Sequence, residues 1–449
     1  MLRRKMSVFL AQWRATKERE CLLVKGARQV GKSYIIDAFG RENYDSYISI
    51  DFVAHPEYKR IFAGPLEADD IYRQMSLFIP DIRFAEHDTF IFLDEIQECP
   101  RARTALKYLA LDNRYDVVAS GSLLGIQYRQ ADEVASIPVG YERIVEMHPL
   151  DFEEYLWAKG FDEAAVALLR HYLDDLEPVP LGVHESMMGL LREYLAIGGM
   201  PEVVQTFLDS NSYGDVFATQ TKLLASYLDD IARYASETDR VKARSCFLSL
   251  PRQLAKENTK FRYALVEKGG TSRKFDSSVD WIAGANMVLR CTSVSTPSFP
   301  LAAYEDDSKF RLYANDTGLL MAMYGFESLA PVVYNTLAGP MKGGLYENLV
   351  AGMLAKNGIP LHYWMSQNGS HEIEFLVDRN GSPVPVEVKA RRGATASLNA
   401  LLERDDIALG YKLIDGNVGR DGKKITLPLY LAPFLFQREP YRSFPSTTL

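Results

Sequence analysis

The chain has 449 residues and a net charge of −8, and its 47% hydrophobic and 24% charged residues are typical of a globular protein with about two to four domains. It has no apolar run of about 18 residues and no paired cysteines, so we expect a cytoplasmic protein without membrane contact, disulfides or a cysteine zinc site. The acidic balance excludes a general attraction to nucleic acid, and any contact with DNA would need a local basic patch.

The first predicted elements are a strand over 20–24 and a helix over 34–39, which a glycine-rich loop joins. The loop has the sequence Gly26-Ala27-Arg28-Gln29-Val30-Gly31-Lys32-Ser33. Two glycines separated by four residues and followed by Lys-Ser form the phosphate-binding P-loop pattern. We predict that all eight residues bind ATP, with Lys32 as a catalytic residue at the β- and γ-phosphates and Ser33 holding Mg²⁺. The alternative is a glycine-rich turn that binds no ligand.

The strand predicted over 89–94 ends in two adjacent carboxylates, Asp94 and Glu95. Asp94 is placed to bind Mg²⁺ directly or through water, and Glu95 is the candidate base that orients and deprotonates the attacking water. A further strand over 115–119 ends in two serines, Ser120 and Ser122, either of which could sense the γ-phosphate. The alternatives are an acidic turn after a buried strand and an ordinary Ser-Gly-Ser turn.

Strands and helices alternate from residue 20 to about residue 150, with further strands predicted over 46–52 and 143–147. This alternation predicts an α/β domain over 1–180 with a parallel sheet covered on both faces. Leu, Tyr and Ala then recur at helical spacing over 152–173 and 187–235.

Residues 241–294 suggest a helical module that ends in a β-wing, with a helix over 276–285 and a strand over 287–294. Arg273 and Lys274 stand just before that helix, so a DNA-reading winged helix is one interpretation. Such modules pack against partner domains at least as often as they bind DNA. We assign 181–338 to a helical and winged-helix-like domain.

A glycine-rich linker is predicted over 339–344, and 339–449 is assigned to a last α/β domain. An amphipathic helix there carries Glu347, and an alternating strand over 372–378 carries Glu374. The next strand places Glu387 and Lys389 on one face, because alternate residues of a strand point the same way.

An acid on one strand and Glu-x-Lys on the next is the arrangement of metal-dependent phosphodiester cleavage. We therefore predict Glu374, Glu387 and Lys389 as catalytic residues, and Glu347, Glu374 and Glu387 as ligands of Mg²⁺ or Mn²⁺. Lys389 would position the attacking water. The alternative is a surface hairpin with a cross-strand salt bridge, and Glu374 stands where an Asp is more usual. A basic cluster for DNA phosphates would consist of Lys389, Arg391 and Arg392.

Together these motifs resemble those of the predicted bacterial and archaeal AAA+-type ATPases with an uncharacterised C-terminal region. Beside the P-loop, the resemblance rests on the runs 92–97, 120–122, 149–154, 198–202, 227–231, 312–320, 347–348 and 387–389. It implies an AAA+-like P-loop domain, a winged-helix-like middle and a restriction-endonuclease-like domain of the PD-(D/E)xK type at the C-terminus. The resemblance implies no substrate or pathway, and it leaves the arginine finger open among Arg114, Arg129 and Arg143.

The leading prediction is an Mg²⁺-dependent ATPase whose nucleotide state drives a nuclease-like module that acts on DNA. An arginine finger from a neighbouring subunit would make the active form a homo-oligomer. The alternative is a nucleotide-dependent signalling switch whose nuclease-like domain is an inactive scaffold. A structural adaptor with degenerate sites is a third interpretation, and the intact P-loop and acidic pair argue against it.

Overall fold

The structure of the protein, a computed structural model, describes residues 2–16, 20–86, 88–122, 140–236, 238–256, 259–390 and 395–437. Contacts between residues divide the chain into two compact units. Of the described residues, the P-loop unit comprises Arg3–His148 with Gly284–Asn286, and the C-terminal unit comprises Pro149–Ala283 and 287–437. Within the described ranges, no helix combines the length and apolar character that crossing a membrane requires.

The P-loop unit is built on a parallel five-stranded sheet in the order β2-β3-β4-β1-β5. Its strands are β1 (Cys21–Gly26), β2 (Ser46–Asp51), β3 (Thr89–Asp94), β4 (Asp116–Ser122) and β5 (Glu142–Glu146). Its helices are α1 (Lys5–Ala15), α2 (Lys32–Asn43), α3 (Ala68–Phe78) and α4 (Pro100–Asp112). The predicted strands agree with these bounds to within three residues, so the prediction of an α/β unit with a parallel sheet is confirmed.

Burial on both faces explains why the central strands are almost continuously apolar. Every residue of β3 is buried, and β1 buries Leu22, Leu23 and Val24 completely. Because all five strands are parallel, their carboxyl ends meet at one edge of the sheet. β4 lies between β1 and β3 and aligns Ser120 with Val24, so β4 ends between the P-loop and Asp94.

The C-terminal unit begins with helices and then forms an eight-stranded mixed sheet in the order β12-β13-β11-β10-β9-β8-β6-β7. Its helices are α5 (Phe152–Ala158), α6 (Glu163–Asp174), α7 (Leu181–Ile197), α8 (Pro201–Ser210), α9 (Tyr213–Tyr234), α10 (Arg240–Leu248), α11 (Leu250–Leu254), α12 (Tyr263–Val266), α13 (Ser272–Gly284), α14 (Thr317–Tyr324), α15 (Leu329–Val333), α16 (Pro340–Lys356), α17 (Ala396–Leu402) and α18 (Ala432–Leu435). Its strands are β6 (Val288–Val294), β7 (Glu305–Ala314), β8 (His362–Met365), β9 (Glu372–Arg379), β10 (Ser382–Val388), β11 (Gly410–Ile414), β12 (Gly419–Asp421) and β13 (Lys424–Pro428).

The sheet crosses the domain boundary that the sequence suggests at 338/339. β6 pairs with β7 as an antiparallel hairpin and with β8 in parallel, so the expected wing is one edge of the large sheet. The expected linker over 339–344 lies almost entirely in α16, where Gly344 packs against α11. A Cβ on Gly344 would lie 2.1 Å from the carbonyl oxygen of Leu254, so this glycine allows close packing.

The other expected features of the middle region also differ from the structure. The division between the two units lies after His148, whereas the sequence suggests a boundary at 180/181. Arg273 and Lys274 lie in the first turn of α13 and not before it. Lys274 Nζ donates to both oxygens of Glu267 at 2.6 and 2.8 Å, so this lysine is already paired within the chain.

Three of the runs that carry the family resemblance meet at one backbone junction in the C-terminal unit. The N–H of Leu150 donates to the carbonyl of Gly199 at 2.7 Å. The Asp316 carboxylate accepts from the N–H groups of Gly199 at 2.7 Å and Leu319 at 3.0 Å. A Cβ on Gly199 would lie 2.1 Å from the carbonyl oxygen of Leu150. These three runs, 149–154, 198–202 and 312–320, therefore have a structural role. The close approach of the two backbones requires glycine at position 199.

Candidate functional site

The P-loop connects the end of β1 to the start of α2. Gly26 ends the strand where a Cβ would lie 2.2 Å from the carbonyl oxygen of Met147, so no side chain fits there. Gly31 precedes α2 with a φ of 93°, a left-handed conformation that favours glycine. No described side chain caps α2, so the N–H groups of its first turn are available to an anion.

Lys32 is buried inside the loop that it follows. Its Nζ donates to the carbonyl oxygens of Gly26 at 3.0 Å and Ala27 at 2.9 Å. Burial lowers the pKa of Lys32 to about 8, and the nearby charges of Glu95 and Asp94 oppose that shift. The ammonium is thus held by two neutral carbonyls, which phosphate oxygens can replace as stronger, charged acceptors.

The acidic pair lies at the same edge of the sheet. Asp94 is buried at the end of β3 and accepts hydrogen bonds from the Ser120 hydroxyl and, at 3.0 Å, from the N–H of Glu95. Glu95 itself has a φ of 53° and a ψ of 46°, a left-handed conformation that is uncommon for a residue with a side chain. The Gln97 amide donates to the Glu95 carboxylate. The structure therefore brings together the predicted Lys32, Asp94, Glu95 and Ser120, while the side chain of Ser122 lies outside the described part.

Arg4 is a residue of this site that the sequence analysis missed. It precedes α1, is 3% exposed, and donates from Nη1 to the carbonyl of Val30 at 3.0 Å and from Nη2 to the carbonyl of His148 at 2.6 Å. The Arg4 guanidinium therefore joins the P-loop to His148, where the first segment of the P-loop unit ends. The only signal in the sequence is a basic N-terminal segment, which ordinarily indicates a solvated surface.

Neither described candidate for the arginine finger lies near its own P-loop. Arg114 precedes β4 and Arg143 is the second residue of β5, so both lie at the amino ends of strands, opposite the P-loop edge. Arg114 forms ion pairs with Asp112, at 2.9 Å, and with Asp69. Arg129 lies outside the described residues. Within one chain, Arg114 and Arg143 therefore cannot reach a nucleotide on the P-loop.

At the C-terminal end, the structure brings together the three predicted catalytic residues, Glu374, Glu387 and Lys389. Lys389 Nζ lies 2.8 Å from Glu374 Oε1 and 3.6 Å from Glu387 Oε1. The second Glu374 oxygen accepts from the N–H of Val388 at 3.1 Å. Glu387 is 1% exposed, and its Oε2 has no hydrogen-bond partner in the part of the chain that the structure describes. Burial raises the pKa of Glu387 to about 7, and Lys389 opposes that shift.

Glu347 has other partners, in the middle region of the chain. Its Oε2 accepts from Thr259 Oγ1 at 3.1 Å and Tyr313 Oη at 3.2 Å. The same oxygen lies 3.6 Å from Nη1 of Arg311, a fully buried residue of β7. Burial raises the pKa of Glu347, Arg311 opposes the shift, and the charge of Glu374 adds to it.

These contacts do not assemble the predicted metal centre. In the described ranges, no group of three or more His, Cys, Asp or Glu side chains could hold a metal ion. Glu347, Glu374 and Glu387 instead each lie beside a cationic side chain, Arg311 or Lys389. The expectation of three carboxylates around one divalent ion is therefore not met. Arg391 and Arg392, the rest of the expected basic cluster, lie outside the described residues.

Comparisons with known proteins give the class of the P-loop unit. Residues 18–156 match a family model described as "AAA domain". Residues 188–330 and 342–430 match two models described as domains of unknown function, DUF8612 and DUF4143. The uncharacterized proteins Rv2008c of Mycobacterium tuberculosis and Mb2031c of Mycobacterium bovis are each 30% identical over 104 residues, 23% of this chain. The match spans only 22% of the length of each of these relatives.

Two solved structures resemble the chain more distantly. The Walker-type ATPase of Pyrococcus abyssi is 13% identical with a TM-score of 0.41, over 72% of this chain and 96% of that one. The ORC2 protein of Aeropyrum pernix in its ADP form is 12% identical with a TM-score of 0.32, over 76% and 95% of the two chains. Neither likeness is close enough to bear on function, so the class rests on the family match. By this match, residues 18–156 are similar to AAA domains.

Proposed function

We propose that the P-loop unit binds ATP with Mg²⁺ and hydrolyses it. The observation that carries this proposal is the meeting of Lys32, Asp94 and Ser120 at one edge of the sheet, beside the uncapped start of α2. The donors suit a magnesium nucleotide. Loop and helix N–H groups face phosphate, and a hydroxyl (Ser33) with a carboxylate (Asp94) supplies the oxygen ligands that Mg²⁺ prefers.

Each residue then has a role in hydrolysis. Lys32 holds the β- and γ-phosphates, Ser120 fixes the orientation of Asp94, and Glu95 orients and deprotonates the attacking water. Bound Mg²⁺ would supply charge neutralisation on the phosphates. The hydrogen bond from Gln97 sets the direction of the Glu95 carboxylate before substrate arrives.

Binding of a fluorescent ATP analogue, together with phosphate release, tests this proposal in the full chain. Lys32→Ala should lose nucleotide binding because it removes the buried charge that faces the phosphates. Lys25→Ala is a matched control, since Lys25 lies on β1 and pairs with Glu146 at 3.8 Å, away from the loop carbonyls. Equal nucleotide affinity of the wild type and Lys32→Ala would refute the proposal.

We further propose that the nucleotide state is passed on to the C-terminal unit. Met147 and His148, the last residues before the chain enters the C-terminal unit, are hydrogen-bonded to the P-loop region. The N–H of Met147 donates to the carbonyl of Lys25 at 2.7 Å, and Arg4 donates to the carbonyls of both Val30 and His148. A change in the P-loop therefore acts on the segment through which the chain leaves. Hydrogen exchange at 146–150 should slow when ATP is added to the wild type and stay unchanged in Lys32→Ala.

DNA as the target of the C-terminal unit is a second proposal, favoured by the adjacent Glu374, Glu387 and Lys389 on an antiparallel strand pair. The competing proposal is a nucleotide-dependent switch with an inactive nuclease-like scaffold. The cationic partners of all three predicted metal ligands favour the scaffold. ATP hydrolysis measured with and without DNA separates the two. Stimulation supports action on DNA, and tight nucleotide binding with negligible turnover supports the switch.

A further inference from the structure

The C-terminal cluster holds more negative charge than one lysine can balance. Glu347, Glu374 and Glu387 lie in or near it, and Glu372 at the start of β9 adds a fourth carboxylate. Buried carboxylates are stable only when they are paired or protonated. In a metal-dependent phosphodiesterase the missing positive charge comes from a divalent ion.

In this chain a second cation already lies at the cluster. Arg311 is 0% exposed, with Nη1 3.6 Å from Glu347 and Nη2 in an ion pair with Glu372. Its guanidinium carbon lies 4.2 Å from the centre of the Tyr363 ring, a cation–π contact that also favours a buried positive charge. Among the described residues, its Nε and Nη1 have no hydrogen-bond partner. Arg311 is therefore held mainly by charge.

We propose that Arg311 and Lys389 together take the place of the divalent metal, so that the cluster is a charge-balanced structural centre and does not cleave phosphodiesters. Lys389 balances the pair Glu374 and Glu387, and Arg311 balances Glu347 and Glu372. This inference is independent of ATP hydrolysis by the P-loop unit.

Coulomb repulsion and lost ligands both oppose metal binding. A divalent ion near Glu347 would face the fixed positive charge of Arg311 a few ångströms away in a poorly solvated site. The Glu347 oxygen nearest Arg311 already accepts two hydroxyl hydrogen bonds, and both Glu374 oxygens accept from the chain. Glu387 Oε2, a buried oxygen without a hydrogen-bond partner among the described residues, is where the wild type would bind a metal if the proposal were wrong.

Mn²⁺ titration of the full chain without nucleotide, followed by electron paramagnetic resonance, tests the proposal. The wild type and Glu387→Gln should bind Mn²⁺ equally. Arg311→Met, which keeps the unbranched apolar part of the side chain and removes its charge, should gain a Mn²⁺ site that binds at least about tenfold more tightly than any site of the wild type. That site should disappear in Arg311→Met combined with Glu347→Gln, while Arg311→Lys should behave like the wild type.

Two results would overturn the proposal. One is Mn²⁺ binding by the wild type that Glu387→Gln abolishes, and this comparison holds even if Arg311→Met fails to fold. The other is a folded Arg311→Met that binds no more Mn²⁺ than the wild type. DNA incubated with the wild type and Mn²⁺ should stay intact, and cleavage lost in Glu387→Gln would contradict the proposal in the same way.

Discussion

Glu95 combines an uncommon backbone conformation with an oriented carboxylate. Its left-handed φ of 53° follows the buried Asp94, and its own N–H donates to the Asp94 side chain. Such a conformation costs about 1–3 kcal/mol and persists only where its surroundings enforce it. Here the Glu95 N–H bonds to Asp94 and the Gln97 amide bonds to the Glu95 carboxylate, and these two contacts hold the side chain in one direction, as the proposed role of a base requires.

We expect Glu95→Gln to keep nucleotide binding and to slow hydrolysis by about 10²-fold or more, because the amide cannot accept the proton of the attacking water. Single-turnover phosphate release, measured beside binding of a fluorescent ATP analogue, separates the two effects. Glu98→Gln is the matched control, since Glu98 lies in the same turn and faces Lys59 at 3.7 Å. Hydrolysis by Glu95→Gln at the wild-type rate would show that Glu95 is not the base.

At this scale the sequence predicted what is local. The P-loop and the pair Asp94–Glu95 are contiguous motifs whose spacing follows from the chemistry. Arg4 and Arg311 could not be found in the same way, because each acts on carbonyls or carboxylates that lie far away in the chain. A buried arginine in a sequence looks like any exposed one until its partners are known.

At the scale of elements, glycine has its clearest role at the junction of the runs 149–154 and 198–202. Gly199 approaches the backbone of Leu150 so closely that no Cβ fits, and its N–H is fixed by the buried Asp316 carboxylate. Burial raises the pKa of Asp316, and the charge of Lys356 and the backbone hydrogen bonds from Gly199 and Leu319 oppose that shift. These contacts thus fix the positions of the segments around Leu150, Gly199 and Asp316 relative to one another.

Gly199→Ala should therefore destabilise the full chain by about 2 kcal/mol or more, the scale of overpacking in a rigid core. Gly189→Ala is the control, because Gly189 lies inside α7 with open space around its Cβ position. There the same substitution should stabilise by up to about 1 kcal/mol, since alanine is the better helix former. Urea unfolding followed by circular dichroism gives both values, and equal midpoints for the two variants would contradict this account.

The five strands of the first sheet and strands β6, β9 and β10 of the second could be predicted from apolar runs and alternation. The other strands of the second sheet, and the strand that pairs with β6, could not. A hairpin after a group of helices predicts a wing, and only tertiary pairing shows that β6 lies beside β8. The glycines at 339–344 predicted a linker, but most of this segment is helical, in α16. Glycine permits flexible linkers and close packing alike, and the sequence alone does not distinguish the two.

At the scale of the whole molecule, the continuous sheet determines which pieces can fold. A fragment of residues 340–449 lacks β6 and β7, so it exposes an edge of β8 and leaves Glu347 without Arg311. We expect this fragment to be unfolded or aggregated, whereas residues 149–449 should fold. Amide proton dispersion in NMR spectra of the two fragments measures this. A well-dispersed spectrum of the 340–449 fragment would show that it folds by itself, and it would support the domain boundary predicted at 338/339.

Assembly follows from the geometry of the parallel sheet. Arg114 and Arg143 lie at the edge opposite the P-loop, so among the three candidates the finger comes either from a neighbouring subunit, as Arg114 or Arg143 would require, or from Arg129, which lies outside the described residues. We expect the first case, in which hydrolysis per molecule rises between nanomolar and micromolar protein. A mixing experiment tests that case. One of the variants Arg114→Ala, Arg129→Ala and Arg143→Ala should be inactive because it lacks the finger. Adding Lys32→Ala subunits, which bind no ATP but still carry the finger, should restore its hydrolysis. A flat rate per molecule, with an inactive Arg129→Ala that no second subunit restores, would place the finger within the same chain.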